Sequence, residues 1–541
     1  MYSILPIFNA LFQQKKEFIS WGIMGDWKHP YKTMDSTFVK HQIELFYWLK
    51  INGYIYQRYM PVYWSPSSKT ALAESELEYN TQHQSTSVYV RFPIMHNNCF
   101  SAKISNLSAI YFLIWTTTPW SLVANRAICF DPQSEYCLVK SPTSDDYYIV
   151  ATVALQRNDE LKELFGSNPD IKDIKLTGQD LSMLTYTNPL HSDQETSHVC
   201  PVLPASHVTM DSGTGLVHTA PAHGPEDYLI GVNNRLDLSC PIDENGCYDS
   251  TVPDTLKYLF ALEEGNVEII RLLEKGNHIL AKDLYIHSYP YDWRTNKPVL
   301  LRASKQWFID TGKLQPRAME ALKNIEIHPK SASNGFHGVL DKRPYWCISR
   351  QRVWGVPIPV FYNNNGDAVI SKEMVNRFLD LIDTHGIDFW WSMEPKEILD
   401  GLNFEHPELM MKGMDILDVW FDSGITWHNI IEPNTTDSLK QSDVYLEGLD
   451  QFSGWFYSSL LTSIAVQNAP PYKNIYVHGF TMDETGRKMS KSLGNVVSPT
   501  QITQGWTLHG NSSDQNSKPT KKSKNKSVKD PSTVFGLDVL R

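Results

Sequence analysis

Two lysines near the end of the chain lie in a short string that could handle phosphate groups. The string Lys488-Met-Ser-Lys-Ser lies between Gly486 and Gly494 and follows an apolar segment that indicates a strand. When a carboxylate attacks the α-phosphate of ATP, negative charge builds on the phosphoryl oxygens and on the departing pyrophosphate. A mobile lysine loop hinged at glycines can close on those oxygens. The alternative is an exposed basic turn without function. The candidate catalytic residues are Lys488, Ser490, Lys491 and Ser492, with Lys491 on the α-phosphate side.

A second group of polar residues lies where a strand should end and a helix should begin. The segment Tyr445–Phe456 carries carboxylates, an amide and a tryptophan. The carboxyl ends of strands form the ligand-binding edge of an open α/β sheet. Side chains of these types can bind ribose hydroxyls, the 3′ end of tRNA or a substrate ammonium there. Acidic loop residues can equally be only solvated, so the segment alone is ambiguous.

Both groups require an α/β unit that brings them to one edge. The apolar density of Gly454–Gln467 predicts a buried helix, and Asn474–Phe480 predicts a short strand that leads into the lysine string. A helix of about 14 residues between short apolar strands indicates a parallel sheet. Nearer the N-terminus, a wide apolar face predicts a helix that begins at Asp35 or Ser36 and ends at Gly53.

The region from about residue 95 to residue 280 has a different, β-rich pattern. Alternation in Ser87–Phe92 and apolar runs in Ala109–Trp115 and Tyr147–Ala151 predict strands. Several polar residues of this region could orient a water molecule or approach a ligand, although a threonine run alone is more typical of a strand end. These residues are Thr116, Thr117, Thr118, Asn125, His218 and Asp227.

Bulk composition limits the class of protein. A chain of 541 residues is too long for one core and predicts three or more domains, and 41% hydrophobic with 20% charged residues is typical of a globular protein. A net charge of −11 argues against a general polyanion clamp but permits a local basic track for tRNA. Seven cysteines without the short spacing of metal ligands predict free thiols. No apolar run reaches the length of a membrane span.

These segments together resemble the isoleucyl-tRNA synthetases, which are class I aminoacyl-tRNA synthetases. The resemblance covers almost the whole chain except about residues 507–534, and it is closest to the bacterial and mitochondrial branch. Valyl-tRNA and leucyl-tRNA synthetases share the lysine loop, but they differ at Trp115–Trp120 and lack the amino-acid sequence of Asp418–Gly424. The other segments that carry the resemblance are Gly22–Trp27, Trp64–Pro66, Ala71–Tyr79, Gly213–Tyr228 and Trp346–Pro357.

The resemblance implies two sites. The first is the aminoacyl-adenylate site, for which it implies the residues Glu447, Gly448, Asp450, Gln451, Trp455 and His478. The second is an editing site that hydrolyses mischarged valyl-tRNA(Ile), with Asp227 holding the α-ammonium of the mischarged amino acid. The resemblance implies that His218, Asn125 and the three threonines line that site. Water attack helped by the tRNA ribose is the implied route, since the sequence offers no Ser/His/Asp triad.

The expected fold class is α/β, with a Rossmann-like parallel sheet and an inserted β-rich editing domain. The first half of the sheet is expected to be missing, because no His-x-Gly-His sequence occurs in the chain, and the helical anticodon-binding domain is expected to be truncated. The predicted divisions are a remnant of the catalytic domain with a connector (1–92), the editing domain (93–283), a second connective region (284–440), the second half of the catalytic domain (441–506), a disordered Lys/Ser-rich insertion (507–534) and the start of a truncated helical domain (535–541).

Three functions remain open from the sequence. The first is an isoleucine–tRNA ligase with editing activity, the second is an editing-only deacylase, and the third is a non-catalytic tRNA-binding fragment. The expected cofactors are ATP and the Mg²⁺ that accompanies it, with no metal site built by the protein. The expected partners are tRNA(Ile) and isoleucine, with no membrane. A monomer in the mitochondrial matrix is expected, with the cytoplasm as the alternative location.

Overall fold

The computed structural model describes residues 5–95, 109–166, 168–191, 199–341, 345–404, 406–431, 439–490 and 494–504. The predicted insertion (507–534) and the predicted helical start (535–541) lie outside the described residues. Within the described ranges, no helix is both long and apolar enough to cross a lipid bilayer. The helices are Leu5–Ser20, Ser36–Ile51, Thr152–Arg157, Asp159–Phe165, Gly178–Ser182, Pro225–Asn234, Asn266–Lys275, Gln315–Leu322, Ser333–Asp341, Lys372–His385, Phe389–Ser392, Pro395–Ile398, Val419–Gly424, Thr426–Ile430, Trp455–Gln467 and Pro499–Gln504.

Six described cysteines are free thiols, as predicted: Cys129, Cys137, Cys200, Cys240, Cys247 and Cys347.

The strands form several separate sheets. The strands are β1 (Ile55–Ser65), β2 (Thr70–Leu72), β3 (Leu77–Met95), β4 (Ile110–Thr116), β5 (Ala127–Phe130), β6 (Tyr136–Lys140), β7 (Tyr147–Ala151), β8 (Ile171–Leu176), β9 (Thr185–Thr187), β10 (Val199–Pro204), β11 (Leu216–Thr219), β12 (Ile279–Asp292), β13 (Leu300–Ile309), β14 (Glu326–His328), β15 (Trp346–Cys347), β16 (Ser349–Arg350), β17 (Phe361–Tyr362), β18 (Ala368–Val369), β19 (Met411–Lys412), β20 (Ile416–Leu417), β21 (Ser442–Gly448) and β22 (Tyr472–His478).

The largest sheet joins ten of these strands in the order β11-β5-β10-β9-β3-β4-β7-β6-β8, with β12 also paired to β3. It contains the predicted strands Ser87–Phe92, Ala109–Trp115 and Tyr147–Ala151. The alternation in Ser87–Phe92 would leave one face in solvent, yet all six residues are buried. Arg91 explains how a charge fits there, because its Nη1 donates to Asp146 Oδ2 at 2.8 Å and its Nε donates to Asn277 O at 2.6 Å. This strand is therefore covered on both faces.

β3 and β12 also run beyond the rest of this sheet as a two-stranded ribbon. Their register extends to Leu77 opposite Asp292. The ribbon leads into a four-stranded antiparallel sheet in the order β15-β13-β1-β2. The chain thus enters and leaves the ten-stranded sheet through adjacent strands, an arrangement that suits an insertion into another unit.

A three-stranded parallel sheet in the order β14-β22-β21 forms the predicted α/β unit. The helix Trp455–Gln467 connects β21 to β22, and its residues 456–465 are all buried, as its apolar composition predicts. The predicted N-terminal helix is also present as Ser36–Ile51, and Gly53 follows it with a φ of +72°. These elements confirm the mixed α/β fold class with a parallel sheet and a large β-rich insertion.

Candidate active sites

The predicted adenylate residues meet at the carboxyl ends of two neighbouring parallel strands. β21 and β22 pair with Gly448 opposite His478, so both strands end at the same edge. Glu447, Asp450 and His478 are exposed at this edge, whereas Gly448 is buried. Exposed carboxylates at the carboxyl ends of parallel strands can accept hydrogen bonds from hydroxyl or ammonium groups of a ligand.

Gln451 organises the turn between β21 and the following helix. Its Oε1 accepts a hydrogen bond from the main-chain N–H of Trp455 at 3.2 Å, and its Nε2 donates to Asp450 Oδ2 at 3.0 Å. The Trp455 ring stacks on Tyr445 with ring centroids 4.1 Å apart. The amide therefore caps the first turn of the helix and fixes the neighbouring carboxylate, while the stacked rings hold the helix against β21.

Two glycines of this turn lie close to neighbouring side chains. A Cβ on Gly448 would lie 2.6 Å from Asp450 Oδ1, and a Cβ on Gly454 would lie 2.7 Å from the Trp420 ring. The exposed Asp450 carboxylate can move away, whereas the aromatic ring cannot, so the requirement for glycine is steric at position 454.

Gly454→Ala is expected to lower the free energy of unfolding by about 1–3 kcal/mol, the usual cost of overpacking a rigid site. The added methyl group would collide with an aromatic ring that cannot rotate away cheaply. Urea unfolding followed by tryptophan fluorescence measures the change. Gly479→Ala is the matched control, because a Cβ there meets nothing within 4 Å. Equal unfolding midpoints for the two variants would contradict the steric explanation.

The lysine loop after β22 begins with a turn that is organised by Asp483. Its Oδ1 accepts from the N–H groups of Thr485 at 3.0 Å and Arg487 at 2.9 Å, and its Oδ2 accepts from Asn495 Nδ2 at 2.8 Å. Hydrogen bonds from Asn495 and then from Thr485 hold the pKa of Asp483 well below its usual range. The carboxylate stays ionised at any physiological pH and ties both ends of the loop together.

The Asn495 side chain also forms hydrogen bonds with the main chain of the lysine loop. Its Nδ2 donates to Lys488 O at 3.2 Å, and its Oδ1 accepts from the Ser490 N–H at 2.9 Å. The Lys488 ammonium is exposed and lies 3.7 Å from the centroid of the Phe480 ring, a cation–π contact. Phe480 is two residues after His478, so this lysine lies near the edge that carries the predicted adenylate residues. Lys491 and Ser492 lie outside the described residues.

The threonines of the predicted editing site form a tight turn at the end of β4. The Thr118 N–H donates to Thr116 Oγ1 at 3.1 Å, and the two hydroxyl oxygens are 3.2 Å apart. Thr118 Oγ1 is also 3.3 Å from Ser121 Oγ. The turn therefore presents several hydroxyl groups in a fixed arrangement.

His218 lies behind this turn in β11, with both ring nitrogens in hydrogen bonds. Its Nδ1 is 2.9 Å from Asn125 Nδ2, and its Nε2 is 3.0 Å from Ser121 Oγ. Burial, and then the charge of His223, lowers the pKa of His218 to about 3. The ring is therefore neutral at physiological pH and does not act there as a proton donor in its cationic form.

Asp227 lies in the first turn of the helix Pro225–Asn234. Its Oδ2 accepts from the main-chain N–H of Ala220 at 2.8 Å. Burial raises the pKa of Asp227 to about 7, and the hydrogen bond from Ala220 opposes that rise. A cationic partner such as an ammonium group would favour the ionised form of this buried carboxylate.

A cavity of about 800 Å³ opens beside the threonine turn. Of the six predicted editing residues, all of which the structure describes, Thr117 and Thr118 line it. Its other walls come from β3, from β12 and from the start of the helix Asn266–Lys275. Trp120 and Tyr289 supply aromatic surface, and Glu263 and Glu264 supply negative charge. The structure therefore places Thr117 and Thr118 at the cavity wall, whereas the other four candidates, Thr116, Asn125, His218 and Asp227, do not line this cavity.

Sequence patterns missed a buried ion cluster that joins three of the segments carrying the resemblance. Arg350 donates from Nε to Glu76 Oε2 and from Nη2 to Asp418 Oδ2, both at 2.9 Å. Arg352 donates to Glu76 Oε1 at 2.8 Å, so the cluster has two positive and two negative charges. The Trp346 indole adds a hydrogen bond to Asp418 Oδ2 at 2.9 Å. The only local signal was that these residues lie in three distinctive segments.

A metal site in the described ranges would need several ligand side chains that lie close together. Within them, no group of three or more His, Cys, Asp or Glu side chains could hold a metal ion. Glu447 and Asp450 place exposed carboxylates at the edge that is predicted to bind the adenylate.

The family model and the relatives that match this chain agree on the kind of protein that it resembles. The family model for class I tRNA synthetases (I, L, M and V) matches residues 9–541. The mitochondrial isoleucine–tRNA ligase of Macaca fascicularis is 43% identical over 540 residues, which cover 98% of this chain and 51% of that protein. The isoleucine–tRNA ligase of Prochlorococcus marinus is 40% identical and covers 93% of this chain and 52% of its own. A probable mitochondrial isoleucine–tRNA ligase of Dictyostelium discoideum is 40% identical and covers 91% and 48%. The chain thus spans about half the length of these relatives.

Proposed function

Because the chain belongs to the family of class I tRNA synthetases, we propose that it takes part in charging tRNA(Ile) with isoleucine and in hydrolysing mischarged valyl-tRNA(Ile). The relatives named above are isoleucine–tRNA ligases of mitochondrial and bacterial type, which confirms the predicted resemblance. The observation that carries the proposal is the shared edge of β21 and β22, where the adenylate candidates lie beside the lysine loop.

In the activation step, we propose that the exposed groups at this edge bind isoleucine and ATP. Glu447, Asp450 and Gln451 would hold hydroxyl and ammonium groups, while Trp455 and His478 would contact the adenylate. The ammonium of Lys488 would leave the Phe480 ring and close on the phosphates, where charge accumulates in the transition state. Gly448 would let the ligand approach the main chain closely. We assign Ser490, Lys491 and Ser492 to the same loop from the sequence alone.

Mg²⁺ would accompany the nucleotide and help to neutralise its phosphates. The exposed carboxylates Glu447 and Asp450 are compatible with an ion held mainly by phosphate and water oxygens. Similarity to mitochondrial relatives supports a mitochondrial location. The expected monomer remains a prediction.

The activation proposal is tested by isoleucine-dependent exchange of pyrophosphate into ATP with the 541-residue chain. Exchange that requires isoleucine, and that leucine does not support, would establish activation. Valine should support weaker exchange, because one methylene is worth only about 1–3 kcal/mol in an apolar pocket. Absence of exchange with a folded chain would refute activation by this chain.

The need for editing follows from the same small difference in binding free energy between isoleucine and valine. The familiar isoleucine-to-valine ratio for this class of enzyme is about 150-fold, a known value that is not inferred from the present site. A hydrolytic site that admits only the smaller product supplies the rest. We propose that the threonine turn orients the attacking water and that Asp227 holds the α-ammonium of the valyl group. His218, as a neutral ring, would hold the turn and not transfer the proton.

Editing is expected to increase with pH, with a midpoint of about 7 for kcat/KM of valyl-tRNA(Ile) deacylation, the value to which burial raises the pKa of Asp227. Only the ionised carboxylate attracts the ammonium, so activity is lost as pH falls below this midpoint. Asp227→Asn should remove the inflection and lower the plateau about 10- to 100-fold, which corresponds to one charged hydrogen bond. Glu226→Gln, which alters the adjacent exposed carboxylate, should keep the inflection and the plateau and move the midpoint only slightly downward, because the charge of Glu226 adds to the rise in the Asp227 pKa. A profile that is flat between about pH 6 and 8 would contradict this role for Asp227.

An editing-only deacylase is the second candidate. It is favoured by one observation: Thr117 and Thr118 line a cavity of about 800 Å³. Deacylation of valyl-tRNA(Ile) without isoleucine-dependent pyrophosphate exchange would support this candidate over the ligase. Exchange at an appreciable rate would exclude it.

A further inference from the structure

A relay of buried hydrogen bonds links the core of the ten-stranded sheet to the threonine turn. It starts at Tyr186 in β9, whose buried phenol donates to Asn125 Oδ1. Both hydrogens of the Asn125 amide are used, because Nδ2 is 2.9 Å from Ala127 O and 2.9 Å from His218 Nδ1. Turning the amide over would place its oxygen against Ala127 O and its Nδ2 against the phenol donor. The acceptor Ala127 O therefore fixes the orientation of Asn125, and the hydrogen bond from Tyr186 adds to that preference.

That orientation decides which nitrogen of His218 carries the proton. An amide nitrogen only donates, so His218 Nδ1 must accept and the single proton of the neutral ring lies on Nε2. Nε2–H then donates to Ser121 Oγ, 3.0 Å away. The hydroxyl of Ser121 has its own hydrogen left, which it donates to Thr118 O at 2.9 Å. Each donor in the relay has an acceptor, and the relay ends at a residue of the cavity wall.

We propose that Tyr186 and Ser121 are positioning residues of the hydrolytic site, which act through Asn125 and His218 to hold Thr118 in one arrangement. This inference rests on the editing function proposed above. Neither residue was a sequence candidate. Their contribution would be geometric, since a displacement of about 1 Å in a catalytic arrangement can cost on the order of 10²-fold in rate. Burial of the relay keeps water from competing for its hydrogen bonds.

Ser121→Ala tests the end of the relay that touches the threonine turn. It removes the acceptor for His218 Nε2–H and the donor to Thr118 O. We expect kcat for valyl-tRNA(Ile) deacylation to fall about 10- to 100-fold with KM changed less than about twofold. Ser141→Ala is the matched control, because Ser141 is also buried but its hydroxyl contacts Thr143, 3.3 Å away. A merely structural role would lower the melting temperature of both variants without a selective effect on kcat.

The proton position gives a readout that does not depend on activity. In the 541-residue chain labelled with ¹⁵N-histidine, His218 should show a protonated Nε2 and an unprotonated Nδ1, with His218→Gln identifying its signals. Tyr186→Phe should add a second population protonated on Nδ1, because Asn125 Oδ1 has then lost its donor. Tyr472→Phe removes a buried hydroxyl that donates to Phe456 O at 2.9 Å and should leave the His218 signals unchanged.

The outcomes distinguish a failure of the positioning role from a failure of the editing function on which it rests. A wild-type His218 protonated on Nδ1 overturns the relay. Deacylation by wild type with equal kcat values for Ser121→Ala and Ser141→Ala overturns the positioning role alone. If wild type does not deacylate valyl-tRNA(Ile) although His218 is protonated on Nε2, editing fails and the positioning role fails with it. Selective loss in Ser121→Ala together with the expected proton position supports both.

Discussion

Lys488→Ala is expected to reduce isoleucine-dependent ATP–pyrophosphate exchange about 10²- to 10³-fold relative to the unsubstituted chain, the usual effect of removing one preorganised contact to transition-state charge. The ammonium of Lys488 is exposed and lies over the Phe480 ring near the adenylate edge. It is therefore free to exchange a weak cation–π contact for a stronger contact with phosphate. The initial rate of exchange at saturating ATP and isoleucine measures the effect.

The same variant should leave the other proposed activity intact. The proposed valyl-tRNA(Ile) deacylation is assigned to residues in and beside the ten-stranded sheet, so Lys488→Ala should change it less than about twofold. Lys175→Ala provides the control for loss of a surface charge, because its ammonium is exposed and pairs with Glu135 at 3.3 Å, away from the lysine loop. Exchange by Lys488→Ala within threefold of the unsubstituted chain would show that this lysine does not contact the transferring phosphate.

The α/β unit around the lysine loop could be predicted because its signals are local. An apolar run of helical length gave Gly454–Gln467, and the helix begins one residue later at Trp455. The strand predicted as Asn474–Phe480 is Tyr472–His478. Parallel pairing followed from the connection, since a helix between two strands returns the chain to the same edge. The adenylate candidates therefore come together as the sequence suggested, although their roles remain proposals.

Burial on both faces of β3 could not be predicted in the same way. Alternation in Ser87–Phe92 indicates an extended chain, but it does not reveal how many layers cover it. Arg91 is accommodated by partners at Asp146 and Asn277, which are 55 and 186 residues away. The alternating pattern predicts the strand but carries no information about the partners that pair and bury Arg91.

The relay at the proposed editing site escaped prediction for a related reason. Tyr186 is 61 residues from Asn125, and Ser121 is 97 residues from His218. No spacing along the chain indicates such contacts, because they depend on how β9 and β11 are ordered in the sheet. The resemblance pointed to Asn125 and His218 but not to the groups that orient them.

Arg350→Met is expected to lower the free energy of unfolding by about 3–5 kcal/mol, because it leaves two buried carboxylates short of a counter-charge. Arg350, Glu76 and Asp418 are all buried, with side chains no more than 1% exposed. Arg350 is 274 residues from Glu76 and 68 from Asp418, so the cluster fixes distant segments to one another. Burial opposes ionisation of Glu76, yet Arg350 and Arg352 outweigh it and hold the pKa of Glu76 below its usual value.

Urea unfolding followed by tryptophan fluorescence measures this loss, because the 16 tryptophans of the chain report global unfolding. Arg271→Met is the matched control. Arg271 makes two 2.6 Å hydrogen bonds to Glu268 but is 54% exposed, so its pair should contribute at most about 1 kcal/mol. Arg350→Lys separates charge from geometry: it retains the positive charge but cannot reproduce the planar fork that contacts both carboxylates. An unfolding midpoint for Arg350→Lys close to that of Arg350→Met would assign most of the stabilisation to the fork, whereas equal midpoints for Arg350→Met and Arg271→Met would refute the stabilising role of the cluster.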